Sequence, residues 1–151
     1  MNESVSPSSL YPVRAFWVAL LINAVWINAS EVFRYFALIM PLLRQTYPEI
    51  ENVAPMSFSV FAMWAIWDTI LLLAVTGFVW LFLERFGATV RNALLGATLV
   101  WLAIFGILWL GLFNMNMATV TILAIALPLS WIELTIAGLV VYSMMTRMRP
   151  L

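Results

Sequence analysis

Cysteine, histidine and lysine are all absent from the chain, and each absence removes a branch of chemistry. Without cysteine there are no disulfides, no thiol nucleophile and no thiolate metal site. Without histidine the usual zinc and haem ligand and the commonest acid–base group are missing. Without lysine no Schiff base can form. Charge is scarce as well: 9% of residues carry it, against 65% that are hydrophobic. Soluble domains carry about 25% charged residues. With a mean hydropathy of +1.03, the chain cannot cover itself with polar groups, so its solvent is expected to be lipid. No cofactor, metal or nucleic-acid partner is expected. The net charge is zero, and no arginine cluster marks a nucleic-acid or polybasic surface.

Four apolar runs are present, at about 15–40, 57–83, 93–113 and 118–145. Each exceeds the roughly 20 residues needed to cross a bilayer core as a helix. The continuity of these runs excludes a membrane β-barrel, whose strands alternate in polarity. The expectation is an all-α membrane protein, a single four-helix transmembrane bundle. Met1–Val13 is polar and lacks the basic start of a signal peptide, so the first span is expected to be retained. Pro41 is expected to end span one, and the segment 41–55, with Pro41, Pro48 and Pro55, to form an extracytoplasmic loop.

Arginine placement sets the expected orientation. Arg14, Arg85, Arg91, Arg147 and Arg149 fall on one side of such a bundle, and only Arg44 on the other, beside Glu49 and Glu51. The positive-inside rule then puts both termini in the cytoplasm, in a plasma or bacterial inner membrane.

Against this apolar background, Glu31, Arg34, Asp68 and Glu133 lie inside the spans. A charge at the centre of a membrane helix costs about 2.5–3.5 kcal/mol, so such residues pair, protonate or line polar cavities. Span two still inserts despite Asp68. Its fourteen Leu, Ile, Val and Phe residues contribute roughly −4 to −8 kcal/mol against about +3 for the acid.

At 100° per residue, span one gathers Asn23, Asn28, Glu31, Arg34 and Tyr35 into an arc of roughly 140°, with Val25, Trp26 and Val32 opposite and suited to lipid. Span two groups Ala65, Asp68, Thr69, Leu72 and Thr76, with Trp64 beside Asp68. Span four aligns Ala126, Ser130, Glu133 and Ala137. Span three carries no charge and reads as a packing helix along Gly96, Leu99, Ala103, Gly106 and Leu110. Pro128 is expected to kink span four and to free a backbone carbonyl near Ser130 and Glu133.

The rise per residue lets Glu31, Asp68 and Glu133 converge in the middle-to-outer part of the bundle. Arg34 is placed to pair with Glu31 at i,i+3 or to bridge to Asp68. A Glu31–Arg34 pair would serve as structural glue as readily as a functional site. Asp68 and Glu133, with no second cation for them, point to a protonatable cavity. Trp64, Trp67 and Trp131 flank the acids as walls or volume fillers. Trp17, Trp80 and Trp109 read as interfacial anchors.

The pattern supports binding or transport of a small lipophilic or cationic molecule, by a homo-oligomer or within a larger membrane complex, since four helices enclose little volume. Two alternatives remain open. One is an intramembrane enzyme performing isomerase- or cyclase-type acid–base chemistry on a lipid or isoprenoid-like substrate, although no catalytic residue is singled out. The other is an accessory subunit of a larger membrane complex.

Overall fold

The computed structural model describes residues 11–53 and 55–148. The lead-in Met1–Leu10, Ala54 of the first loop and Arg149 lie outside the described residues. Within them the fold is helical throughout, with four helical runs long and apolar enough to cross a membrane. Span one joins α1 (Val13–Arg34), a π-helical turn (Tyr35–Ile39) and α2 (Met40–Thr46). Span two is α3 (Phe58–Phe86). Span three joins α4 (Val90–Trp101), a second π-helical turn (Leu102–Gly106) and α5 (Ile107–Asn114). Span four is α6 (Val120–Arg147), unbroken across Pro128.

Span one does not stop at Pro41. The Met40 N–H bonds the Tyr35 carbonyl five residues back, so the helix is widened just before the proline. The ring therefore avoids the carbonyl collision that breaks an ordinary helix, and seven more residues continue to Thr46. At 1.5 Å per residue the 34-residue run reaches about 50 Å, well beyond a bilayer core of about 30 Å. The connection to α3 is correspondingly shorter than the sequence suggests.

The other ends are set by local caps. Ser57, Thr89 and Thr119 each turn a side-chain oxygen to the N–H three residues on, opening α3, α4 and α6. Gly87 has φ +95°, a conformation L side chains rarely adopt, and closes α3. The Asn92 amide donates to the carbonyls of Phe86 and Gly87 at 2.8 and 2.9 Å, which fixes this turn.

One apolar cluster lies at the end of the bundle where α1 begins and α6 ends. It includes the buried Ala15, Ala19, Val79, Leu83, Ala93, Ala97, Val141 and Met145. Gly138 lets α6 approach α4: a Cβ built on it would lie 3.0 Å from the Ala97 Cβ and 3.1 Å from the Ala93 carbonyl. A second cluster, Ile27, Leu71, Val75, Val100, Phe105, Leu134 and Ala137, fills the middle.

Several faces differ from the helical-wheel expectation. The packing stripe of span three is Ala93, Gly96, Ala97 and Val100, continued by Phe105 and Gly106 after the π-turn. Leu99, Ala103 and Leu110 point outward. On α3 the buried stripe is Trp64, Asp68, Leu71 and Val75, while Ala65 and Thr69 are exposed. Trp80 is no surface anchor: it is buried edge-on against Phe16, with ring centroids 5.4 Å apart.

Candidate functional site

The site grows from one stripe of α1. Asn23, Ile27, Glu31 and Arg34 recur at spacings that keep them on one helix face, and all four are buried. Asn23 ties three helices together, donating to the Thr76 hydroxyl of α3 at 3.1 Å and to the Ala137 carbonyl of α6 at 3.2 Å. Towards the α2–α3 loop, the Trp26 indole donates to the Glu133 carbonyl at 3.0 Å. Trp26 is thus half-buried against α6 rather than turned to lipid.

Beyond it lies the charged centre. Arg34 donates to Glu31 from one terminal nitrogen and to Glu133 Oε2 from the other, the latter at 3.2 Å. Ser30 adds a hydrogen bond to the same Glu133 oxygen at 2.5 Å. The guanidinium also sits over the Phe105 ring, 5.2 Å from its centroid. Isolated buried ions cost several kcal/mol each, and this arrangement offsets that cost by sharing one cation between two acids. Glu133, although lacking a cation of its own on the sequence reading, is therefore paired. Arg34 bridges to Glu133, where the sequence reading allowed a bridge to Asp68.

Asp68 completes the group from α3. It is 6% exposed, and its Oδ1 is buried with no hydrogen-bond partner among the described residues. It lies within electrostatic range of Glu31, Arg34 and Glu133. The Oε1 of Glu133 is likewise buried and unpartnered. Two carboxylates thus share a single guanidinium, and the third, Asp68, makes no ion pair with it among the described residues.

A cleft of about 520 Å³ opens beside this centre. Span one contributes Glu31, Arg34 and Tyr35, α3 contributes Met63, Trp64 and Trp67, and span three contributes Phe105 and Trp109. Tyr35 meets Trp64 edge-on, with centroids 4.7 Å apart. The opening follows from helix placement: α4 packs on both α3 and α6, whereas α5 has its main interhelical contact with α6. Spans two and three therefore part towards the α2–α3 loop, leaving Phe58, Met63 and Ile66 of α3 exposed. A second cavity beneath the loop, of about 570 Å³, shares Met56 with the cleft.

The candidate residues fall into four groups. Glu31, Arg34 and Glu133 are in contact, with Asp68 facing them; Tyr35, Trp64 and Trp67 line the cleft. Asn23 and Ser130 are buried but serve interhelical contacts: the Trp101 indole donates to the Ser130 hydroxyl at 3.0 Å and to the Leu127 carbonyl at 3.1 Å. Asn28 and Trp131 lie off the site. Asn28 is exposed and donates to the Ala24 carbonyl of its own helix, and Trp131 is exposed with its indole bonded to Thr98 on α4.

Ser30 and Phe105 belong to the site without having been singled out, and Trp109, expected as an interfacial anchor, lines the cleft instead. Ser30 was within reach of the sequence, since the wheel puts it only about 20° from Asn23 and 40° from Arg34. Phe105 and Trp109 follow from the second π-turn, which no periodicity announces. Among the described residues, no three metal-ligating side chains come together as a cation site.

No protein-family model, curated protein or solved structure matches this chain. Its functional reading rests on the geometry alone. Buried carboxylates in excess of their cation are neutralised by protons or by a bound positive group. An apolar cleft with a few convergent polar groups is the ordinary form of a small-molecule site.

Proposed function

We propose that this multi-pass membrane protein binds, and moves between two environments, a small lipophilic or cationic molecule held in the cleft between spans one, two and three. The observation that carries the reading is Asp68: a buried carboxylate with an unpartnered oxygen, beside a Glu31–Arg34–Glu133 group whose only cation is already shared. The apolar cleft supplies room next to that excess of acid. The Glu31–Arg34 pair lines the cleft, while Glu133 is held behind Arg34. The working arrangement is therefore a paired acid at the wall and an unpaired one beside it, with protons and ligand competing for the same carboxylates.

Three of the cleft-lining residues are tryptophans, Trp64, Trp67 and Trp109, so occupancy is expected to change intrinsic fluorescence. The test is titration of the purified protein in neutral maltoside micelles with neutral and cationic lipophiles, followed by uptake in proteoliposomes with and without a proton gradient. Saturable fluorescence change, lost or weakened in Asp68→Asn, supports the reading. Absence of saturable binding across both ligand classes, with wild type and variant equally folded, overturns it.

A further inference from the structure

The lining of the cleft says more about its occupant than its volume does. Five aromatic rings border it: Tyr35, Trp64, Trp67, Trp109 and the Phe105 ring beneath Arg34. The face of an aromatic ring is negative at its centre and attracts a cation, most strongly when both are out of water. The one lining guanidinium is already engaged by Glu31 and Glu133. An anionic head would therefore meet an occupied cation and an excess of carboxylate. A positive head would meet aromatic rings and gain the charge balance that one arginine cannot give three acids.

The shape adds a second constraint. The buried side of the cleft is formed by Glu31, Arg34, Trp64 and Phe105, whereas its flank between α3 and α5 is bordered by exposed Met63, Trp67 and Leu108. A ligand seated there has a polar end inside the bundle and an apolar end facing lipid.

Resting on the binding function proposed above, we infer that the cleft selects amphiphilic onium cations. A quaternary or tertiary ammonium head is held among Tyr35, Trp64, Trp67 and Trp109, with Glu31 of the lining as counter-charge and nearby Asp68 adding to the negative field, and an alkyl tail leaves laterally between α3 and α5. A quaternary head suits this lining because it needs no hydrogen-bond acceptor and interacts through charge and ring faces alone. Net charge of the head, rather than lipophilicity, is the property the cleft reads.

The experiment uses the full chain in neutral maltoside micelles with three probes sharing one ten-carbon tail: decyltrimethylammonium, decyldimethylphosphine oxide and decyl sulfate. Binding is followed by tryptophan fluorescence and equilibrium dialysis. The ammonium is expected to bind about tenfold more tightly than the neutral phosphine oxide, the ratio expected of a desolvated cation–ring contact, with no saturable binding of the sulfate. Trp64→Leu and Trp67→Leu should each reduce that ratio several-fold, whereas Trp131→Leu, at a residue bonded to Thr98 away from the cleft, should leave it unchanged. Equal affinity for the ammonium and the phosphine oxide, or tighter binding of the sulfate, overturns charge selection while leaving a lipophile-binding protein. Failure of all three probes to bind removes both readings.

Discussion

Arg34 of α1 and Glu133 of α6 lie 3.2 Å apart although 99 positions separate them in the chain. The same guanidinium holds Glu31 one turn before it. This arginine joins the first span to the last, and its two acids are unequal partners. Glu31 comes from the same helix and is delivered by helical spacing alone. Glu133 arrives only when the bundle closes, so its contact reports assembly.

That inequality gives a stability prediction. Arg34→Met leaves Glu31 and Glu133 buried together without a cation and is expected to cost about 3–5 kcal/mol. Glu133→Gln should cost clearly less, since Arg34 keeps Glu31 and a glutamine oxygen still accepts from Ser30. The double variant Arg34→Met with Glu133→Gln should recover part of the loss of Arg34→Met. Unfolding in mixed micelles measures all three. Simple addition of the two single effects would mean that the residues do not act as a pair.

A neutral polar contact provides the comparison. Asn23 donates to Thr76 and to the Ala137 carbonyl, and hydrogen bonds between membrane helices average about 0.6 kcal/mol, with a maximum of about 1.7. Asn23→Leu is expected to cost about 1 kcal/mol and Thr76→Val less, because Asn23 retains the carbonyl. The same unfolding assay should rank both far below Arg34→Met. A loss as large as that of Arg34→Met would mean that the amide, and not the ion group, is the main tie between α1 and its neighbours.

Glycine substitutions should divide by position. At Gly138 a new Cβ meets the Ala97 Cβ at 3.0 Å and backbone of α4 at 3.1 Å, whereas at Gly77 it meets nothing within 4 Å. Gly138→Ala is expected to force α4 and α6 apart and cost about 1–3 kcal/mol. Gly77→Ala should stabilise by about 0.5–1 kcal/mol through helix propensity. Thermal unfolding of both variants is the check, and the opposite signs are the point of the test. A Gly138→Ala protein as stable as wild type would show that the α4–α6 contact has slack.

Span number and the identity of the buried charges were legible because both follow from composition along the chain. Which side of each helix carries them was only partly so. Asn28 entered the polar arc of span one by polarity, yet it lies about 120° from Arg34 on the wheel and bonds its own helix instead. Trp26 looked lipid-facing because its ring is apolar, while its indole N–H found the Glu133 carbonyl. Both π-turns shift the helical phase by an inserted residue, so Phe105 could not be placed beneath Arg34 by a constant 100° step. The first π-turn likewise removed the expected stop at Pro41. The bridge from Arg34 to Glu133 instead of Asp68 depends on α1 packing more closely on α6 than on α3, a tertiary choice with no local signal.

Orientation in the membrane gives the last prediction. The end of the bundle where α1 begins and α6 ends, with the α3–α4 turn, holds Arg14, Arg85, Arg91 and Arg147, and Arg149 follows two residues on in the sequence. The α2–α3 loop end holds Arg44 together with Glu49 and Glu51. Positive residues in short flanking segments are retained in the cytoplasm, so a reporter fused after Leu151 should read cytoplasmic and one inserted within Glu49–Val53 should read exterior. The extension of span one to Thr46 sharpens the test, because Arg44 then lies on a projecting helix and not in a free loop. Replacing Arg85 and Arg91 by Gln, while adding arginines at Glu49 and Glu51, should shift a measurable fraction of the chains to the opposite orientation. The cleft, which opens towards the α2–α3 loop, would then face the cytoplasm in those inverted chains. A C-terminal reporter that reads exterior in the unaltered chain would contradict the arginine rule for this bundle and place the cleft on the cytoplasmic side from the start.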